Sequence, residues 1–125
     1  MNSRRQISVI ASEQMVSAFS VLIASTPHYS LQASAANLDE LRTILGEKKP
    51  EIILVYLVQE SGSDGGKAAY EIITRIKITW PDVWCIAIIQ NASQLEKAKE
   101  SGADLALIDG VSAERLLAAL EWKMT

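Results

Sequence analysis

The sequence holds one cysteine and one histidine, the pair most often used together as nucleophile and base, and they stand in unrelated segments. Cys85 lies inside the apolar run Cys85-Ile86-Ala87-Ile88-Ile89, where a free thiol behaves as a small buried hydrophobe. His28 follows Pro27 in a turn and has no cysteine, histidine or acid at ligand spacing, so a solvent-facing loop histidine is expected. Such a pair cannot supply a nucleophile, its base and an orienting group. The segment Gln59-Glu60-Ser61-Gly62-Ser63-Asp64-Gly65-Gly66 offers backbone amides of the kind that cradle anions. It matches neither GxGxxG nor GxxxxGK[ST], so no nucleotide site is expected.

The elements around these residues read as alternating strands and helices. Ile7–Ala11, Ile52–Val58 and Cys85–Ile89 are short apolar runs. The last two are nearly continuous rather than alternating, the pattern of parallel strands covered on both faces. Ala106-Leu107-Ile108 reads as a further strand and Tyr29–Ala33 as a weaker one. Between them, Ser12-Glu13-Gln14 opens a helix to about Ser25 with Met15, Phe19, Leu22 and Ile23 on one stripe. A second helix begins at Asn37 or Leu38, carries Leu41, Ile44 and Leu45, and stops at Gly46. A third runs from Ala68 to about Thr79, carrying Tyr70, Ile72, Ile73 and Ile76, and breaks at Trp80-Pro81. A fourth spans Ser93 to Ser101 with Gly102 as a left-handed C-cap. The last follows Ser112-Ala113-Glu114-Arg115 and presents Leu116, Leu117 and Leu120. Strands joined by crossover helices give a parallel sheet, and the loop from Gln59 to Gly66 falls at the end of the central strand where such sheets bind ligands.

The whole chain of 125 residues fits one domain. A protein of this size buries about two thirds of its unfolded surface, so it needs neither disulfide nor metal staple. With 12 Lys+Arg against 15 Asp+Glu, and basic residues scattered apart from Arg4-Arg5 and Lys48-Lys49, the concentrated positive patch that nucleic acid requires is missing. Direct nucleic-acid binding is therefore not expected. No apolar stretch reaches the roughly 20 residues of a bilayer span, and the opening MNSRRQISVIASEQ turns polar too early for a secretory leader. With a lone cysteine, the expectation is a reducing, cytoplasmic setting without membrane contact.

Four segments carry a resemblance. Lys49-Pro50-Glu51-Ile52-Ile53-Leu54-Val55 precedes the end of the central strand, and Trp80-Pro81-Asp82-Val83 precedes the fourth strand. Gly102-Ala103-Asp104 precedes the fifth strand, and Val111-Ser112-Ala113-Glu114-Arg115-Leu116-Leu117 enters the last helix. In this order and near this spacing they resemble the CheY-like receiver domain of two-component response regulators. The likeness is strongest to the branch that carries a LuxR/NarL-type DNA-binding domain. It implies a flavodoxin-like (βα)5 fold, a doubly wound parallel sheet in order 2-1-3-4-5, with two helices on one face and three on the other. If the chain is a piece of a longer protein, it also implies a helix-turn-helix domain beyond Thr125.

Receivers accept a phosphoryl group on an aspartate that ends the third strand. Acidic residues after the first strand hold Mg²⁺, a Ser or Thr ends the fourth, and a lysine ends the fifth. Metal and lysine neutralise charge on the transferring group. Carried over, the acidic pair falls on Ala11 and Ser12, leaving Glu13 as the nearby carboxylate. The phosphoacceptor falls on Tyr56, the hydroxyl position on Ile89, and the lysine on Asp109. The aromatic switch of the fifth strand falls on Ala106. The loop bearing Asp64, Gly65 and Lys67 is longer than the family's. The resemblance thus implies a pocket inert to aspartyl phosphorylation. Tyr56 would either fill it, its hydroxyl bonded to Ser12, Glu13 or Asp109, or only pack. Glu13, Asp109 and Asp64 are oxygen ligands in kind, but Ser12 and Tyr56 replace carboxylates poorly, so neither metal nor cofactor is expected.

The expected function is that of a pseudo-receiver, a non-enzymatic interaction or dimerisation module in signal transduction or transcription regulation. Its protein partner, or second copy, would meet the face of the fourth helix, fifth strand and fifth helix, with Ala106, Ala113, Ala119 and Trp122 upon it. Trp122 reads equally as a closing core contact or a docking residue. The alternative is a small cofactor-binding or enzymatic flavodoxin-like domain, since one fold hosts many functions. Cofactor absorbance in purified protein separates the two.

Overall fold

Ile52, Ile53, Leu54 and Val55 are all buried, and a strand hidden on both faces needs a layer of helices on each. The computed structural model describes residues 5–26, 28–57, 66–110, 115, 116 and 118, the side chains of residues 66–69 excepted. Five strands, β1 (Arg5–Ile10), β2 (Tyr29–Ala35), β3 (Ile52–Tyr56), β4 (Trp84–Ile89) and β5 (Leu105–Ile108), form one sheet in the order β2-β1-β3-β4-β5. Every pairing is parallel. The helices are α1 (Glu13–Ala24), α2 (Leu38–Leu45), α3 (Gly66–Thr79) and α4 (Leu95–Glu100), with a 3-10 turn at Ala92–Gln94. Arg115, Leu116 and Ala118 are also helical. This is the doubly wound (βα)5 arrangement expected from the sequence.

Alternate strand residues feed two cores. On one face Val55, Cys85, Ala87 and Ile89 pack with Leu41 of α2, Ile73 and Ile76 of α3, and Ala98 of α4. On the other, Val9, Leu54, Ile86 and Ile88 meet Phe19 and Ile23 of α1 and the helical Leu116. The two-and-three distribution of helices follows.

Local chemistry sets the boundaries. The Asn37 side chain accepts the Glu40 amide at 2.8 Å and starts α2, one residue before Leu38. The buried stripe of α2 is Leu38, Leu41 and Leu45, not Leu41, Ile44 and Leu45. Ile44 is 52% exposed, because it points about 90° away from the centre of that stripe on a helix of 3.6 residues per turn. β3 ends at Tyr56 rather than Val58; the Leu57 amide still donates to Ile88 O at 2.8 Å, and Val58 lies outside the described residues. At the end of α4, Gly102 has φ +121. Its N–H donates to Lys99 O and that of Ala103 to Ala98 O, the paired bonds of a Schellman cap. A Cβ there would also stand 3.0 Å from Lys77 Cγ.

β2 was the weakest strand in the sequence, and it runs along the sheet edge with an irregular register. Ile7 pairs with Leu31 but Ser8 with Ala33, so Gln32 is the extra residue of a bulge. The fully buried Ser8 hydroxyl donates to Gln32 Oε1 at 3.2 Å, which satisfies a polar group the core would otherwise strand.

Candidate functional site

Parallel topology brings the C-terminal ends of all strands to one edge, and there the sequence placed its candidate pocket. After β1, Ala11 is buried and its amide donates to Ala35 O at 3.0 Å. The chain then turns out, so that Ser12 and Glu13 are exposed. Ser12 is the N-cap of α1, its hydroxyl accepting the Met15 amide at a long 3.4 Å. Glu13 occupies the first turn of the same helix, where a carboxylate sits favourably against the helix dipole.

Tyr56, at the end of β3, is half-buried. Its ring meets that of Phe19 edge to face, with centroids 5.9 Å apart and planes at 62°. The tyrosine thus packs toward the core under α1. Ile89, at the end of β4, points to the opposite core and is 1% exposed. Ala106 belongs to that second core too, beside Ala87 in the β4–β5 register. After β5, Asp109 is exposed, and its amide donates to Ile89 O at 2.7 Å. One edge therefore gathers Ala11, Tyr56, Ile89 and Asp109, while the side chains of Tyr56 and Ile89 go to different faces. Asp64, Gly65, Ala113, Ala119, Trp122 and the Lys67 side chain lie outside the described residues.

The chemistry of this edge is apolar at its floor and acidic at its rim. Among the described residues, no group of three or more His, Cys, Asp or Glu is placed to hold a metal ion. Burial pushes the Cys85 thiol up to about 12, helped by the negative charge of Asp104. At neutral pH it is a protonated hydrophobe rather than a nucleophile. His28 is exposed, as expected for its loop. Among the described residues, no helix is long and apolar enough to cross a membrane.

Sequence reasoning missed one feature of this edge. The Gln94 Oε1 accepts the amides of Gln90 and Asn91, at 3.0 and 3.1 Å, and so ties down the turn that leaves β4. The signal was present as an Asn-x-x-Gln spacing at Asn91 and Gln94, the pattern of a capping box.

No family model and no curated protein matches the sequence. Solved structures do match it. A response regulator from Thermotoga maritima superposes with a TM-score of 0.76 over 96% of this chain and 97% of its own, at 14% identity. The fold is that of response-regulator receiver domains. A LuxR-family two-component response regulator from Aurantimonas sp. gives a TM-score of 0.76 over 98% of this chain and 86% of its own, at 22% identity. A putative pilus assembly-related protein from Burkholderia pseudomallei gives 0.77 over 98% and 90%, at 15% identity. At such identities the receiver fold is shared while its chemistry is free to differ.

Proposed function

We propose that this chain is a pseudo-receiver of the LuxR/NarL type: a module that acts by protein–protein contact or dimerisation in signal transduction or transcription regulation, without phosphoryl transfer. The observation that carries the reading is Ile89. Transfer chemistry needs a hydroxyl at that strand end to meet a phosphoryl oxygen, and an isoleucine 1% exposed offers neither a donor nor an opening. Four neighbours support it. Ala11 and Ser12 supply no carboxylate cage for Mg²⁺, Tyr56 is turned against Phe19, and Asp109 has the wrong charge to neutralise a phosphoryl group.

The work of the module is then done by a surface, the face of α4, β5 and the helix that includes Leu116. The anchor segments Lys49–Val55, Trp80–Val83, Gly102–Asp104 and Val111–Leu117 support the branch, and with it a DNA-binding domain in the full-length protein, while this domain itself makes no contact with nucleic acid. The test is intact-mass measurement after incubation with acetyl phosphate and Mg²⁺. The expected mass is that of the unmodified chain; gain of a phosphoryl group on any residue at this edge overturns the reading.

A further inference from the structure

α4 has only six residues, too few for a helix to hold itself in water. Its stability comes from tethers at both ends and in the middle. At its start, Gln94 Oε1 accepts from the Gln90 and Asn91 amides, and both of those residues are exposed. The protection of these two N–H groups therefore depends on one side chain. In the middle, Ala98 is fully buried and Lys97 Nζ stands 5.4 Å from the centroid of the Tyr70 ring on α3, within the range of a cation–π contact. At its end, the Thr74 hydroxyl of α3 donates to Ser101 O at 3.1 Å. Gly102 then turns the chain back with the stem of Lys77, also from α3, against its α-carbon.

Three of these tethers come from one helix. α3 supplies Tyr70, Thr74 and Lys77, one residue to each successive turn, and together they hold α4 from its middle to its cap. We infer that α4 is clamped to α3 as one body, that the face it carries has a single resting geometry, and that Gln94 is the positioning residue that closes the clamp at the β4 end. A helix that exchanges between two positions needs contacts suited to both. Those of α4 are satisfied in one, and the side chains beneath it, Ile89 and Ala106, are already buried. The functional meaning of a preset face rests on the reading of that face as the working surface; the clamp itself does not.

Backbone relaxation dispersion and amide exchange by NMR on the full chain test it, in wild type, Gln94→Ala, Gln94→Glu and Gln94→Ala/Thr74→Val. In wild type, residues 90–101 should show flat dispersion profiles. In Gln94→Ala the amides of Gln90 and Asn91 should exchange about tenfold faster, the effect of losing one modest hydrogen bond. Gln94→Glu keeps an acceptor oxygen and should restore the slow rate. The double variant should show millisecond exchange confined to α4, with the amides of Ile86 and Ala87 unchanged. Dispersion across residues 90–101 in wild type overturns the clamp. So does Gln94→Ala that leaves both amides unaffected, or that speeds the core strands equally. Absence of any partner or dimer leaves these readouts untouched, so the clamp and the functional reading fail separately.

Discussion

Lys77 Nζ lies 2.9 Å from Asp104 Oδ2, joining the last turn of α3 to the residue that precedes β5, 27 positions on. The same ammonium donates to Val83 O at 2.8 Å, and the same carboxylate oxygen accepts the Cys85 amide at 2.8 Å. Both side chains are about a quarter exposed, at 24% and 28%, so solvent screens the ion pair and the backbone bond carries more of the value. Asp104→Ala should lower unfolding free energy by about 1–3 kcal/mol, the range for a hydrogen bond to a charged group. Asp104→Asn keeps an acceptor for the Cys85 amide and should cost about 1 kcal/mol or less. Urea denaturation of the two variants separates the terms; equal losses would show that the charge, not the acceptor, matters.

Cys85 gives a pH dependence of definite sign. Its thiol rises from 9.0 to about 12 in the folded protein, through burial first and the charge of Asp104 second. Above pH 9 the unfolded chain loses this proton while the native protein keeps it, so stability falls as pH rises. The contribution is complete below pH 9 and is lost toward pH 12, at up to about 1.4 kcal/mol per pH unit. Cys85→Ala lacks it. The stability gap between wild type and Cys85→Ala should therefore shrink between pH 8 and pH 10, and a gap that stays constant would refute the assignment.

What was legible in the sequence follows from how each segment is buried. β3 and β4 are covered on both faces, so their residues had to be apolar without interruption and could be read directly. β2 was faint because it lies at an edge with a bulge at Gln32, which interrupts any period of two. Ile44 was misplaced because an apolar residue beside Leu45 looks like core until the centre of the stripe is fixed by Leu38. The positions of the candidate site were legible because topology alone gathers strand ends. Its directions were not. That Tyr56 turns to Phe19 and Ile89 to the other core depends on strand parity, and that Lys77 finds Asp104 depends on two segments far apart in sequence, which no local pattern encodes.

The Phe19–Tyr56 pair should be measurable as a coupling. In a cycle of Phe19→Leu, Tyr56→Leu and the double variant, the interaction free energy should be about 0.5–1.5 kcal/mol, the value of an edge-to-face aromatic pair beyond its buried area. A coupling near zero would mean that Tyr56 gains nothing specific from Phe19, and that its half-buried ring is held by other neighbours.

Restoring the nucleophile alone should not restore transfer. Tyr56→Asp places a carboxylate at the end of β3, yet Ala11 and Ser12 still provide no carboxylate cage for Mg²⁺ and Ile89 still provides no hydroxyl. Its intact mass should stay unchanged after acetyl phosphate with Mg²⁺, as for wild type. Transfer to the single variant would mean that Glu13 suffices for the metal and that Tyr56 alone separates this chain from a phosphorylatable receiver.

The last expectation concerns the proposed working surface. If the face of α4, β5 and the final helix is a fixed interface, a charge on its exposed part should weaken association and spare the fold. Ala118 is helical and exposed, which makes Ala118→Glu the variant with the clearest geometry; Ala113→Glu and Ala119→Arg test the two positions that the sequence alone assigns to this face, both outside the described residues. Leu105 and Leu107 of β5 are half-buried beside it, so an apposed partner would have apolar area to cover there. At about 25 cal/mol per Å² of apolar surface, a charge forced into such a contact removes area and adds desolvation cost together. Sedimentation velocity of wild type and the three variants, with circular dichroism as the check on folding, decides the matter. The expected result is a dimer, or a complex with the physiological partner, that weakens by at least about tenfold in one or more variants of unchanged spectrum. If wild type is a monomer and partner binding is indifferent to all three charges, the working surface lies elsewhere, and the segment from Gln59 to Gly66 at the end of β3 is the next place to put them.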